Sequence, residues 1–226
     1  TILTVGTISH GLALLLICLG LGEGGDRQML DSAVKMGGAH VAIEAPDYEV
    51  TRALDRTIPV DRMQALVSIL NDRGIAVSGV MPRLYASGLA SSADGSSGVG
   101  IIGIDPAAEV PASLIDDRIV AGSFFGAGSG ANTAVIGAGV ARKLGLVPGA
   151  KFVLMAQGTG SGDIQSVLLR VAGITRTTVQ EVDQNAVFLP IATAQTLCGL
   201  QGRAHQAAII LQDVDEAGTA AALLRT

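Results

Sequence analysis

The sequence predicts an α+β domain preceded by a transmembrane helix, and three features predict it. Residues 1–22, TILTVGTISHGLALLLICLGLG, contain no Lys, Arg, Asp or Glu, and charge begins at Glu23. A strand–helix–strand pattern follows between His40 and Leu84, and a hairpin pattern occupies Lys151 to Ile174.

As a helix, the opening run would extend about 33 Å at 1.5 Å per residue. That exceeds the roughly 30 Å hydrocarbon core of a bilayer. No Lys or Arg precedes the run, which favours a transmembrane helix over the alternatives of a signal peptide or a buried core helix. Small residues four apart, Thr7/Gly11 and Ser9/Ala13, allow close packing against another membrane helix. His10 reads as a neutral histidine near a helix end. Residues Glu23 to Met36 continue as a helix out of the membrane, with Met29, Leu30, Ala33 and Val34 on one face. Gly37-Gly38 then breaks it.

HVAIEA (His40–Ala45) alternates as a strand. Pro59 and Asp61 introduce the clearest soluble helix, in which Asp61 and Gln64 form a capping-box pattern. Met63, Leu66, Val67 and Leu70 make a one-sided apolar stripe, and Leu66→Asp is expected to be severely destabilising. Gly74 stands where a helix cap belongs, and a strand from Ile75 to Leu84 completes a βαβ-sized unit. SGLASSADGSSG (Ser87–Gly98) reads as a polar small-residue loop. Beyond it come a strand at Val99–Ile104, the turn Asp105-Pro106, and a short helix around Ala107–Ile115. Gly122–Asn132 is a second Gly/Ser loop. Strand Ala134–Ile136 enters a helix at Ala138–Leu144 that Gly145 closes, and Pro148-Gly149 predicts a type II turn. The hairpin Lys151–Ala156 and Val167–Ile174 encloses Gly158–Asp163. A strand at Ala186–Leu189 meets a helix that begins after Pro190 and stops at Gly199. Ala207–Leu211 is a last strand and Glu216–Leu224 a last helix.

Composition narrows the function. Hydrophobic residues are 49% and aromatic residues 3%, with no Trp, so Ala, Val, Leu and Ile build the core. The apolar fraction is too high for a disordered chain despite 30 glycines. The net charge is -5 and no Lys/Arg block occurs, which argues against a nucleic-acid surface. Cys18 and Cys198 are not expected to pair, and two cysteines make no zinc ribbon or C-x-x-C site.

Chemical motifs are sparse. VIGAGVARKLG (Val135–Gly145) begins G-x-G with Gly137 and Gly139, but a dinucleotide fingerprint needs Gly or Ala where Arg142 stands. It reads as a tight strand-to-helix turn with Ala141 and Leu144 packed inward. P-loop and HExxH patterns are absent, and Ser129 has Ala127 and Ala131 at the glycine positions of a G-x-S-x-G nucleophile elbow. His10, His40 and His205 share no metal-ligand spacing. Asp116-Asp117 read as surface charges, and Asp105 with Glu109 as groups that pin the turn at Pro106. No catalytic, cofactor-binding or metal-ligating residue is assigned.

The ordered segments carry a resemblance. They are GGAHVAIEAPDYEVTRALDRTI (Gly37–Ile58), GVGIIGIDPAAE (Gly98–Glu109), RIVAGSFF (Arg118–Phe125), AVIGAGVARKLGLVPGAKFVLMAQ (Ala134–Gln157), RVAGI (Arg170–Ile174) and DQNAVFLPIATAQTLCGL (Asp183–Leu200). Together they resemble the periplasmic core domain of FtsX-like and MacB-like ABC transporter permeases, most closely the lipoprotein-releasing LolC/LolE-type branch. The resemblance implies a porter-like βαβ subdomain with an inserted β-rich, Sabre-like subdomain, preceded by a transmembrane helix. Residues 1–36 would be the membrane helix and its extension, 37–97 and 203–226 the porter-like part, and 98–202 the insertion. It further implies three membrane helices after this chain, a second permease protomer, a cytoplasmic ABC ATPase, and membrane lipid around the spans. A lipoprotein substrate or periplasmic carrier would be a further partner. The chain itself would be a non-catalytic transmitter of ATPase motion, without cofactor, in the inner membrane with residues after about 36 on the periplasmic or extracellular side. An FtsX-like regulator of an extracytoplasmic hydrolase is the alternative, and a soluble exported enzyme a third. Ser87–Gly98 and Gly158–Asp163 are the candidate partner loops by exposure.

Overall fold

The computed structural model describes residues 39–109, 116–125, 130–159, 162–177 and 179–224. The opening apolar run, its continuation to Met36, His10, Cys18 and Ser129 lie outside the described residues. Among the described residues no helix is long and apolar enough to cross a membrane.

Strand β1 (Val41–Glu44) is followed by a single helical turn, α1 (Tyr48–Thr51). A two-residue strand, β2 (Ile58–Pro59), runs straight into α2 (Val60–Asp72). The expected capping box does not form, because Asp61 already lies inside the first turn and its carboxylate accepts from the Arg62 N–H at 2.9 Å. The apolar stripe holds at its ends, with Met63 and Leu70 exposed by 2% and 0%, whereas Leu66 and Val67 are half-buried. Gly74 adopts φ +84°, and the Ile75 N–H reaches back to the Leu70 carbonyl at 3.0 Å. A left-handed cap makes this bond and stops the helix.

The long hairpin β3 (Val77–Ser91) and β4 (Ser96–Ile104) corrects the expected loop at Ser87–Gly98. Its small residues are paired strand from Ser91↔Ser96 back to Ser87↔Gly100, and Gly88–Ser91 pair also with the strand at Lys151–Gln157. Pairing on both edges outweighs the weak strand propensity of Ser and Gly. Gly88 is required there, since a Cβ would lie 2.5 Å from the Met155 carbonyl oxygen.

After β4 the chain forms α2's short successor α3 (Pro106–Glu109), a 3₁₀ turn at Asp116–Arg118, and β5 (Ile119–Gly122). Residues 110–115 of the expected helix lie outside the described residues. β6 (Thr133–Gly137) enters α4 (Ala138–Lys143), and β7 (Lys151–Gln157) and β8 (Ile164–Thr175) form the expected hairpin. Between α4 and β7 Gly149 has φ +88° and the Ala150 N–H donates to the Val147 carbonyl, as the predicted turn requires. Next come α5 (Gln180–Asn185), β9 (Ala186–Pro190) and α6 (Ile191–Cys198), with Gly199 left-handed at φ +69°. β10 (Arg203–Ala204), β11 (Gln206–Leu211), a 3₁₀ turn at Val214–Glu216 and α7 (Ala217–Leu224) complete the described chain.

β11 inserts antiparallel between β1 and β3, so a strand from the far end of the chain splits the βαβ-sized unit. Val41, Leu70, Ile75, Ile209, Leu211 and Ala220 pack together, joining α2 and α7 to this layer. Six strands then close a ring in the order β3-β4-β9-β6-β8-β7, because β7 pairs back onto β3. Leu84, Ile101, Ile136, Phe152, Leu154, Leu169 and Leu189 belong to the main core cluster, and α6 adds Ala194, Leu197 and Cys198.

Burial gives Cys198 a checkable property. The residue is 0% exposed, and desolvation pushes its thiol up to about 11. Only a thiolate attacks an alkylating reagent, so iodoacetamide at about pH 8 should modify Cys198 in the unfolded chain and spare it in the native one. Peptide mapping reads the site; rapid native labelling would mean that α6 is not packed into the ring.

Candidate functional site

An open groove of about 960 Å³ crosses the outer face of β3 and β4. Its floor includes Ser87, Gly98 and Gly100, and a Cβ at either glycine would meet nothing within 4 Å. The floor is therefore bare, accessible backbone. Tyr48, Arg52 and Leu54 form one wall, and Glu181, Val182 and Asn185 of α5 form another. Tyr85 also lines the groove, so both tyrosines of the chain meet there.

Behind the first wall lies His205, which is 0% exposed. Its ring stacks on Tyr48 at 4.7 Å between centroids, and the Arg52 guanidinium lies 5.3 Å above the same tyrosine ring. Its Nδ1 accepts from the Tyr85 N–H at 3.0 Å, so Nε2 carries the proton and donates to the Leu54 carbonyl at 3.1 Å. Both nitrogens are thus satisfied in the neutral ring. Burial holds the His205 imidazole below its usual range, partly offset by the Leu54 bond. Tyr48 shifts the other way, its hydroxyl raised chiefly by burial.

A second buried polar feature supports the hairpin. Arg83 Nη2 donates to Glu109 Oε1 at 2.6 Å, with the side chains 7% and 1% exposed. Glu109 therefore does not pin the turn at Pro106 as expected. Asp105 does so, its carboxylate accepting from the Ala107 N–H at 3.0 Å. Glu109 instead points into the fold because α3 stands against β3.

The other singled-out residues take structural places. At Gly137 a Cβ would collide with the Asp183 carbonyl oxygen, and at Gly139 it would lie 2.7 Å from Gln184 Cα. The space over the G-x-G turn is filled by α5, while Ala141 and Leu144 are buried as expected. Asp116 and Asp117 are exposed on the 3₁₀ turn. His40 is held against the end of β11, its Nδ1 accepting from the Leu211 N–H at 3.0 Å. Of the two candidate loops, Ser87–Gly98 contributes strand backbone to the groove. The described part of Gly158–Asp163 is tied to the end of α6, where the Thr159 N–H donates to the Cys198 carbonyl at 2.9 Å. No group of three metal-ligating side chains occurs among the described residues.

Sequence reasoning did not find the Tyr48–His205–Tyr85 cluster. The one local signal is a histidine at the mouth of an apolar strand, AHQAAII, where a buried polar ring needs two partners. Neither partner is near it in sequence.

The family described as MacB-like periplasmic core domain matches residues 1–226. No curated protein matches the chain in sequence. The fold is similar to the extracellular domain of the noncanonic ABC-type transporter YknZ from Gram-positive bacteria, with TM-score 0.55 and 16% identity over 79% of this chain and 86% of that one. It is also similar to the periplasmic region of MacB from Actinobacillus actinomycetemcomitans, with TM-score 0.52 and 11% identity over 81% of each chain.

Proposed function

The chain belongs to the MacB-like periplasmic core domain family, and from that premise we propose that it is the extracytoplasmic, non-catalytic part of an ABC transporter permease that transmits ATPase-driven motion to a substrate or partner. The family is one of permease components, which implies an ATPase partner and dimerisation. The finer reading is a permease of the lipoprotein-releasing type, anchored in the inner membrane by the apolar run before Glu23. In this reading residues 98–202 form the inserted subdomain, and residues 37–97 with 203–226 form the porter-like part.

The observation that carries transmission is the layer β1-β11-β3. It joins the first described strand to the last described helix, since Val41 and Ala220 share one core cluster with Leu70 and Ile209. The same strand β3 continues into the closed ring. A displacement entering at β1 would therefore reach the groove through continuous hydrogen-bonded backbone rather than through a linker.

Affinity capture of the full-length protein from its native membrane tests the proposal. An ABC ATPase should copurify, and the gene should encode a group of three apolar spans soon after Thr226. Capture without an ATPase, from a gene lacking those spans, would overturn the permease reading. A copurifying lipoprotein or its soluble carrier supports release; a cell-wall hydrolase instead would replace it with the regulatory reading.

A further inference from the structure

We infer that residues 45–56 are a latch over the groove, held shut by the neutral ring of His205, so that acidification of the extracytoplasmic side moves this wall. Among the described residues, the hydrogen bond from His205 Nε2 to the Leu54 carbonyl joins this segment to a distant strand; its other bonds are internal or reach only the adjoining Thr57, whose Oγ1 donates to the Asp55 carbonyl at 3.5 Å, and the Leu54 side chain packs at the margin of the main core. Tyr48 N–H donates to Ala45, Thr51 N–H to Asp47, Arg52 N–H to Tyr48 and Arg56 N–H to Ala53. The Tyr48 stack on His205 is the accompanying ring contact. The segment's boundaries, by contrast, are firm. β1 is paired before it, and after it Arg203 clamps Thr57 through Nε at 2.5 Å and Nη2 at 2.8 Å.

The closed form is also held against backbone preference. Among the described residues, Asp47 and Arg52, at φ 64° and 49°, are the non-glycine residues of positive φ, and they bracket α1. Such residues occupy the left-handed region at a cost, so the segment relaxes once its tie is lost.

Protonation removes the tie by a simple steric and electrostatic conflict. Nδ1 accepts from the Tyr85 N–H at 3.0 Å. A proton there would set two donors head to head, and the imidazolium must turn away. Turning breaks the Leu54 bond and the Tyr48 stack together. Groups on the surrounding elements offer the cation no ready partner. Arg52 lies over Tyr48, Arg83 on β3 binds Glu109, and Arg203 on β10 binds Thr57. Glu44 at the end of β1 is engaged by Gln206, which Tyr85 Oη also contacts at 3.0 Å. The carboxylates of the latch itself, Asp47, Glu49 and Asp55, are exposed. The moving segment supplies Tyr48, Arg52 and Leu54 of the groove wall, so its opening would change the groove's width and aromatic lining.

Hydrogen exchange of the full chain, corrected for the intrinsic pH dependence of exchange, tests the latch. If the open ring titrates at an ordinary histidine value, opening of peptides covering 45–56 should rise up to about thirtyfold between about pH 7.5 and pH 5. Peptides from β6 and α6 should stay protected. His205→Gln retains a donor for Leu54 and cannot titrate, so its exchange should be independent of pH over that range. Unchanged latch exchange in the wild type, a retained rise in His205→Gln, or ring peptides opening in step with the latch would each overturn the inference. Should His205→Gln fail to fold, nitrogen NMR of the wild-type ring decides. An Nε2–H tautomer that becomes imidazolium as the latch amides open supports it, and imidazolium forming while those amides stay protected overturns it.

Discussion

Glu109→Ala is expected to destabilise the fold by about 3–5 kcal/mol, the range for removing one partner of a buried ion pair. The cost does not come from the lost bond alone. Glu109 is 0% exposed and Arg83 is 6% exposed, so the truncation leaves a guanidinium whose charge water cannot readily reach. A domain with 5–15 kcal/mol of total stability has little margin for that. Thermal melting followed by far-ultraviolet circular dichroism measures the change. The double variant Arg83→Met/Glu109→Leu removes both charges while keeping apolar volume, and it should recover most of the loss. Wild-type melting of Glu109→Ala would show that the pair is not buried as described.

Leu70→Asp is expected to cost more than about 4 kcal/mol, because it combines a deleted core side chain with a buried charge. Leu70 is 0% exposed and touches the cluster that unites α2, α7 and the β1-β11-β3 layer. The variant should therefore be largely unfolded or lost on purification. Leu66→Asp, which the helical spacing marks as equally severe, should cost only about 1–2 kcal/mol, because a half-buried position leaves the carboxylate a path to water. Melting both variants side by side distinguishes the two positions. Equal losses would mean that α2 is rotated from its described face.

Local pattern made much of this fold legible. The hairpin of β7 and β8, the strand β9 running into α6, and the caps at Gly74, Gly145 and Gly199 all follow from alternation and from glycine's access to positive φ. Each is set within a few residues of chain. The elements without a sequence signal, among them β2, β5, β10, α1 and α5, are short and carry little periodicity of their own. The polar segment Ser87–Ser91 became strand because neighbours on both edges satisfy its backbone. Composition reports a segment's own preference and is silent about such neighbours.

The site was less legible than the fold for the same reason. Gly137 and Gly139 were visible as a turn, but the occupant of the space above them, α5, was not. Glu109 looked like a turn residue until β3 brought Arg83 to it. By itself the sequence determined the α+β class, the family, the apolar opening run and the positions of most helix stops, since these depend on residue order and local backbone freedom. Only the tertiary structure decided that β11 splits the first unit, that six strands close a ring, and that Tyr48, Tyr85 and His205 meet beside one groove. Those contacts join distant residues, and their energy exists only once the chain has brought them together.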